Sequence, residues 1–274
     1  MSGQITDSGL GRRLEELAAS GWPPRELRPL GSWQLRANDG VTRRANSVLA
    51  AGPFPEGDWL EEVERFYRER GLPTCFHVSE YSPPELDSLL AAAGYEKVMS
   101  CLLLTASCRD IIKRAEDLGL VCPAMVLTEG AEGLRITNGG VILAPEASEP
   151  WLDDFLRMEG FPESRREGYR SIFAAMPSPK AFVTIVDQGQ GEPIGVATAV
   201  IEAGWAGISN VVVDPRHRRK RAAARMLITL AVWSAEAGAE GMYLQVLEKN
   251  APALELYGKL GFSAVSGYHY RIGK

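Results

Sequence analysis

Six consecutive residues, Arg216-His217-Arg218-Arg219-Lys220-Arg221, form a dense basic run in a chain whose formal net charge is −5. They follow the apolar Val211-Val212-Val213 and the break at Asp214-Pro215, and they lead into Ala222-Ala223-Ala224. Proline ends the ladder of a preceding strand, and alanine is the best helix former, so the run occupies a strand-to-helix loop. The first N–H groups of such a helix lack intrahelical partners and carry partial positive charge. A pyrophosphate would satisfy both, with Arg218, Arg219, Lys220 and Arg221 adding charge around it. A solvated basic face and a nucleic-acid patch are the competing readings of a basic run. Its place between a buried strand and a helix start favours phosphate. One strand and one helix later stands Tyr257, whose phenol can protonate a departing thiolate. Asn250, just before that helix, is a favoured N-cap residue and a second candidate contact for a phosphorylated ligand. A core tyrosine and a simple cap are the plain structural readings of these two residues.

The elements that position them occur twice. In the first half a helix over Trp59–Arg70 buries Leu60, Val63, Phe66 and Tyr67 at helical spacing. Gly71, a strand over Thr74–Val78, a helix from Pro84 and Gly94 follow. In the second half the order is a helix over Ala222–Ala237, Gly238, a strand over Met242–Val246, a helix over Ala251–Leu260 and Gly261. Both read as copies of one α/β unit, but the first has Leu90 where the second has Tyr257, and AAGPFPEGDW in place of the basic loop. The first copy therefore reads as chemically silent. Strand-like alternation over Ala181–Val186, Ile194–Ile201 and Ala206–Val213 predicts a mostly antiparallel meander feeding the basic loop. Ahead of it come a strand at Val141–Ala144 and helices over Trp151–Met158 and Glu163–Ala175. The expected fold class is α/β (α+β), two domains each with a mixed, mostly antiparallel twisted sheet flanked by helices. The first spans 1–137, with a linker over about 106–137; residues 106–140 hold a helix at Arg109–Leu118, a strand near Met125–Leu127 and turns at Gly130, Gly133 and Gly139-Gly140. The second spans 138–274.

Length and composition set the outer bounds. The chain has 274 residues, 45% hydrophobic and 24% charged, which describes two ordinary globular domains. No apolar stretch is long enough to span a membrane, and the N-terminal residues lack a signal peptide's apolar core, so a cytoplasmic protein is expected. Cys75, Cys101, Cys108 and Cys122 lack metal-ligand spacing and read as free thiols; no metal is expected. The acidic balance argues against nucleic acid as a partner.

The stretch Val211–Phe262 resembles the GNAT superfamily of acyl-CoA-dependent N-acetyltransferases. That family's loop motif, Arg/Gln-x-x-Gly-x-Gly/Ala, corresponds here to Arg218-Arg219-Lys220-Arg221-Ala222-Ala223, and Asn250, Ala253, Leu256-Tyr257 and Gly261-Phe262 match its closing element. With RRANSV near the start and YHYR near the end, the whole chain is similar to bacterial tandem proteins of that type with a degenerate N-terminal copy. The resemblance implies acetyl-CoA as acyl donor. Val211, Val212 and Val213 would pair with the pantetheine arm, and the backbone of residues 218–223 would hold the pyrophosphate. Asn250 would contact the cofactor, and Tyr257 would protonate the sulfur as a primary amine of a small molecule or peptide attacks directly. The alternative is a non-catalytic acyl-CoA-binding regulatory protein.

Further expectations complete this reading. Arg221 replaces the family's glycine; a helical backbone at that position, the conformation expected, would preserve binding, whereas a need for positive φ there would weaken it. Glu202, at the end of a central strand, is the candidate general base, with Ser209 or His269 as alternatives that would order a water. The acceptor would lie near Trp151, Phe155, Phe161, Tyr169 and Phe173. A monomer is expected, with a dimer as the alternative.

Overall fold

The computed structural model describes residues 8–120, 128–129, 135–136 and 140–273. The expected strand at Met125–Leu127, the turns at Gly130, Gly133 and Gly139, Cys122 and the boundary at 137/138 lie outside them. The chain divides into two compact units. One comprises the residues up to Leu103 with Val246–Ala251 and Ala264 onward; the other comprises Leu104–Gln245 and Pro252–Ser263.

In the first unit, helix α1 (Ser8–Ser20) precedes an antiparallel hairpin of β1 (Glu26–Leu30) and β2 (Trp33–Ala37). β3 (Val48–Leu49) pairs antiparallel with β2; then α2 (Trp59–Arg68) crosses to β4 (Cys75–Ser79), which runs parallel to β3. α3 (Leu86–Ala92) and β5 (Glu96–Ser107) follow. The Asp58 side chain caps α2 by accepting from Glu61 N. The apolar stripe of α2 buries Val63, Phe66 and Tyr67 against Trp33, Leu35, Val48 and Phe76.

The second unit opens with α4 (Cys108–Asp117) and the short strands β6 (Thr128–Glu129), β7 (Arg135–Ile136) and β8 (Val141–Ala144). Helices α5 (Glu149–Glu159) and α6 (Arg166–Ala175) come next. Ser148 caps α5, and Gly160, in the left-handed region at φ 70°, ends it. β9 (Lys180–Val186), β10 (Pro193–Glu202) and β11 (Trp205–Val213) form the expected antiparallel meander. α7 (Ala222–Glu236) then leads to β12 (Gly241–Leu247), parallel to β11, followed by α8 (Ala251–Lys259) and β13 (Ser263–Ile272). The sequence repeat is thus a structural one: each copy has a parallel pair joined through a helix, then a second helix and a strand.

The final strands are distributed less simply than a cut at 137/138 would have them. β13 pairs antiparallel with β4 in the first unit, from Tyr268↔Ser79 to Ile272↔Cys75. In the second unit the end of β5 adjoins β12, where Thr105 Oγ1 donates to Met242 O at 3.0 Å. β13 is fastened by Asp87 of α3, which accepts from Arg271 Nε (2.7 Å) and Nη2 (3.1 Å) and lies 2.6 Å from His269 Nε2. The Arg271 fork holds the Asp87 carboxyl well below the usual carboxylate range. A depressed folded-state pKa contributes stability that is present above the unfolded value of about 4 and is lost as pH falls below it. We expect Asp87→Asn to flatten the loss of thermal stability between about pH 4 and pH 2, read from melting curves. An unchanged acid limb would show that the latch carries no linkage.

Cys75, Cys101 and Cys108 are buried free thiols. Among the described residues no helix is long and apolar enough to cross a membrane.

Candidate active site

The site begins at an irregularity in β11. Val212 faces Val196, whereas Ser209 faces Thr198, so β11 carries one extra residue between these pairs. Such a bulge bends the strand and strengthens its local twist. It falls at Asn210, which adopts φ 54° and donates from its amide to Thr198 Oγ1 at 3.0 Å. On its other side β11 pairs with β12 only from Trp205↔Gly241 to Ile208↔Leu244. Beyond Ile208 these two strands part, while Val212 and Val213 stay paired with β10. Val211, Val212 and Val213 are half-buried at this opening.

The loop that follows is built around Asp214. Its buried carboxylate accepts from Arg216 N (2.9 Å), Nε (3.1 Å) and Nη2 (2.8 Å), and from Arg157 Nη1 (3.1 Å). These donors hold its pKa far below the usual range, the Arg216 guanidinium foremost. Arg216 is therefore committed to the loop's own structure. Arg218, Arg219, Lys220 and Arg221 are exposed. Arg219 and Arg221 both take left-handed backbone, at φ 62° and 63°. This corrects the expectation of a helical conformation at Arg221: the position keeps the geometry a glycine would favour, and an arginine bears it. The first turn of α7 contains no acid, Arg221 provides no side-chain cap, and the first helical bond runs from Arg225 N to Arg221 O. Ala222 is buried and Ala223 half-buried, so the helix's own first residues bring only methyl side chains to its start. α7 itself is buried nearly all round, through Met226, Leu227, Ile228 and Leu230, which fixes its N-terminus rigidly.

A left-handed L-residue costs about 1–2 kcal/mol, partly offset on replacement by glycine's larger unfolded-state entropy. We expect Arg221→Gly to raise stability by up to about 1 kcal/mol in denaturant titrations. A loss of stability would mean that the arginine side chain is itself required.

Tyr257 lies on α8, 8% exposed, with its ring 5.7 Å from that of Phe262. Its hydroxyl has no hydrogen-bond partner among the described residues, and burial pushes its pKa up to about 12. The phenol is neutral and its proton uncommitted. Asn250, in the first unit by contact, is exposed in the turn that opens α8, its N–H donating to Leu247 O at 2.9 Å.

The base candidates fall elsewhere. Glu202 pairs with Trp205 at the β10–β11 turn, six residues along β11 from Val211, which is about 20 Å at ~3.3 Å per residue. Its Oε2 is buried without a partner there. His269 is engaged by Asp87 in the first unit. Ser209 is better placed, directly ahead of the bulge. The aromatic group is also not a pocket wall. Trp151, Phe155, Tyr169 and Phe173 are 1–4% exposed and pack on one another with ring separations of 4.9–5.8 Å. Trp151 Nε1 donates to Val183 O. These rings are the core between helices and sheet; only Phe161 is half-buried, under the Arg165 guanidinium.

Sequence reading missed Asn210 and Asp214. The Asp-Pro-Arg order does carry a local signal for the second, since aspartate readily accepts from the backbone two residues on.

Comparisons with known proteins place the chain in a family. The model of the acetyltransferase (GNAT) family matches residues 148–262. A second model, the C-terminal part of the probable histone acetyltransferase Rv0428c, matches residues 10–110. The uncharacterized N-acetyltransferase YobR of Bacillus subtilis (strain 168) is 41% identical over 261 residues, covering 95% of this chain and 98% of that protein. Among solved structures, a GCN5-related N-acetyltransferase from Kribbella flavida superposes with TM-score 0.62 at 19% identity, covering 95% of both chains. A tandem GNAT protein from the clavulanic acid biosynthesis pathway does so with TM-score 0.52 at 13% identity, covering 77% of this chain and 66% of that one.

Proposed function

The chain belongs to the GNAT acetyltransferase family, and on that premise we propose that it moves an acetyl group from acetyl-CoA to a primary amine of a small molecule or peptide. The observation that carries this reading is continuity: the bulge-parted edge of β11 runs directly into an uncapped helix start flanked by exposed cations, of which Arg218 donates from Nε to Val213 O at 3.4 Å. An extended amide-bearing arm fits the open strand edge at Val211–Val213, and a pyrophosphate fits the N–H groups at the start of α7. Arg218, Arg219 and Lys220 add charge-assisted contacts.

The amine attacks the thioester carbonyl directly. A C–N bond forms, the C–S bond breaks, the nitrogen loses one proton and the sulfur gains one. Tyr257 supplies a neutral O–H for the departing sulfur. With its pKa at about 12, it is a weaker acid than a thiol near ~8.5. Its part is a hydrogen bond that strengthens as thiolate charge develops, which favours the transition state over the ground state, and the released thiolate takes its proton from water. The proton leaving the amine passes to water, with Ser209 the residue best placed to order it.

The test is release of free CoA thiol from acetyl-CoA over a panel of amines, including amino acids, polyamines and peptide N-termini. One or more amines should give turnover that Tyr257→Phe suppresses. Turnover equal in wild type and variant would remove Tyr257 from the mechanism, and acetyl-CoA binding with no turnover on any amine would favour a binding protein.

A further inference from the structure

The sheet of the first unit has two unlike faces. One is the apolar core beneath α2 and α3, built on Trp33, Leu35, Val48, Phe76 and Val78. Side chains alternate along strands, so the opposite face carries Arg36 of β2, Ser47 ahead of β3, His77 of β4, and Tyr268 and Tyr270 of β13. All five are buried, at 0–7% exposure. This half of the chain reads as silent from its sequence, yet it encloses a polar layer.

Arg36 is the anomaly in that layer. Its Nε donates to Ser47 O (3.0 Å) and its Nη2 to Ser47 Oγ (2.9 Å). Those two bonds occupy one edge of the guanidinium. The edge formed by Nη1 and the second Nη2 hydrogen has no acceptor, and no carboxylate lies at ion-pair distance, among the described residues. A buried guanidinium without a counter-ion is rare and costly. The acid whose field acts on Arg36 is Glu15 of α1, itself buried, which accepts from Ser79 Oγ at 3.0 Å. Burial pushes its pKa up to about 7, so at neutral pH it offsets only part of the charge on Arg36. His77 stays neutral, because burial pushes its pKa well down. Its Nδ1 lies 3.3 Å from Glu15 Oε1, close enough for an ion pair but without hydrogen-bond alignment, and is left unpartnered. The His77 ring is 5.6 Å from that of Tyr270. Arg44, stacked 3.8 Å over Trp22, adds positive field from the loop that follows β2.

We propose that this buried face of the first unit binds a small monocarboxylate, held end-on by the free edge of Arg36 beside His77 and Tyr270. A planar carboxylate presents two oxygens to the two parallel N–H groups of that edge. Its single negative charge has the sign that Arg36, only partly offset by Glu15, calls for. A phosphate dianion would bring more charge than Arg36 supplies and a tetrahedral shape that a planar edge does not select.

The test is the melting temperature of the full chain in sodium acetate, chloride or phosphate at equal pH and ionic strength. Ligand bound to the folded state alone raises stability with the logarithm of its concentration. Acetate should raise the melting temperature above chloride in that manner, and phosphate should not. The rise should persist in Arg218→Ala/Arg219→Ala, which removes cations of the other unit's loop. It should vanish in Arg36→Met and in Arg36→Lys, which keeps the charge but loses the planar edge. Should the Arg36 variants fail to fold, titration of carboxyl-¹³C acetate against wild type must still show one saturable site. Equal melting temperatures in the three salts with no saturable site would leave only ordered water beside Arg36 and overturn the proposal. A rise lost with the loop arginines would assign it to the other unit and overturn it equally.

Discussion

We expect Tyr257→Phe to lower kcat by about 10²-fold or more, the usual contribution of a positioned acid group, and to leave the KM for acetyl-CoA nearly unchanged. The substitution removes one atom, and that atom makes no hydrogen bond within the described residues. The ring keeps its burial and its contact with Phe262. Stability should therefore hold, because deleting an unpaired buried hydroxyl leaves nothing newly unsatisfied. The raised pKa sharpens the expectation. A group with pKa of about 12 stays predominantly protonated up to about pH 11, so kcat/KM should climb as the acceptor amine deprotonates, without an alkaline fall before that pH. Wild-type activity in Tyr257→Phe, or a falling limb near pH 9, would contradict this role. Stopped-time assays of thiol release across pH read both.

The second large effect separates stability from affinity. Ala223→Asp places a carboxylate in the first turn of α7, where the sequence supplies no acid. The helix itself should gain about 0.3–1 kcal/mol from an anion at its positive end. Donor binding should fall, because the new carboxylate occupies the N–H groups to which we assign phosphate and repels it. Loss of charge-assisted bonds worth about 1.5–3 kcal/mol corresponds to roughly 10–10²-fold weaker acetyl-CoA binding. Opposite signs in the same variant are hard to obtain from general damage to the fold. If the variant binds acetyl-CoA as wild type does, the helix start is not the phosphate site. If it loses stability and affinity together, the helix start was already satisfied by something else.

The parts of the fold that sequence made legible are those governed by local pattern. Alternation set the β9–β11 meander within about one residue at each end, and the alanine-rich stretch set α7 at Ala222. The order of strand, helix and glycine disclosed the repeat. What stayed hidden depends on partners far along the chain. Nothing in Gly207-Ile208-Ser209-Asn210-Val211 marks a bulge, because a bulge is a mismatch of register with β10. The pairing of Tyr270 with His77 joins positions almost two hundred residues apart, and the Tyr-His-Tyr-Arg alternation of β13 suits any sheet edge. The same distance concealed the polar layer, where Glu15, Arg36 and His77 come from α1, β2 and β4. At Arg221 sequence misled for a physical reason: arginine normally avoids left-handed backbone, yet the loop geometry holds it there. The aromatic residues of α5 and α6 misled differently. They suit a ligand wall as well as a core, and only burial decides between the two.

The most direct measurement is calorimetric titration of acetyl-CoA into wild type and into Arg218→Ala/Arg219→Ala/Arg221→Ala. We expect one saturable site per chain in wild type, weakened at least about tenfold in the triple variant through loss of charge-assisted contacts. Absence of binding by folded wild-type protein, or equal affinity in the two, would contradict a phosphate site at the start of α7 and the transfer chemistry built upon it.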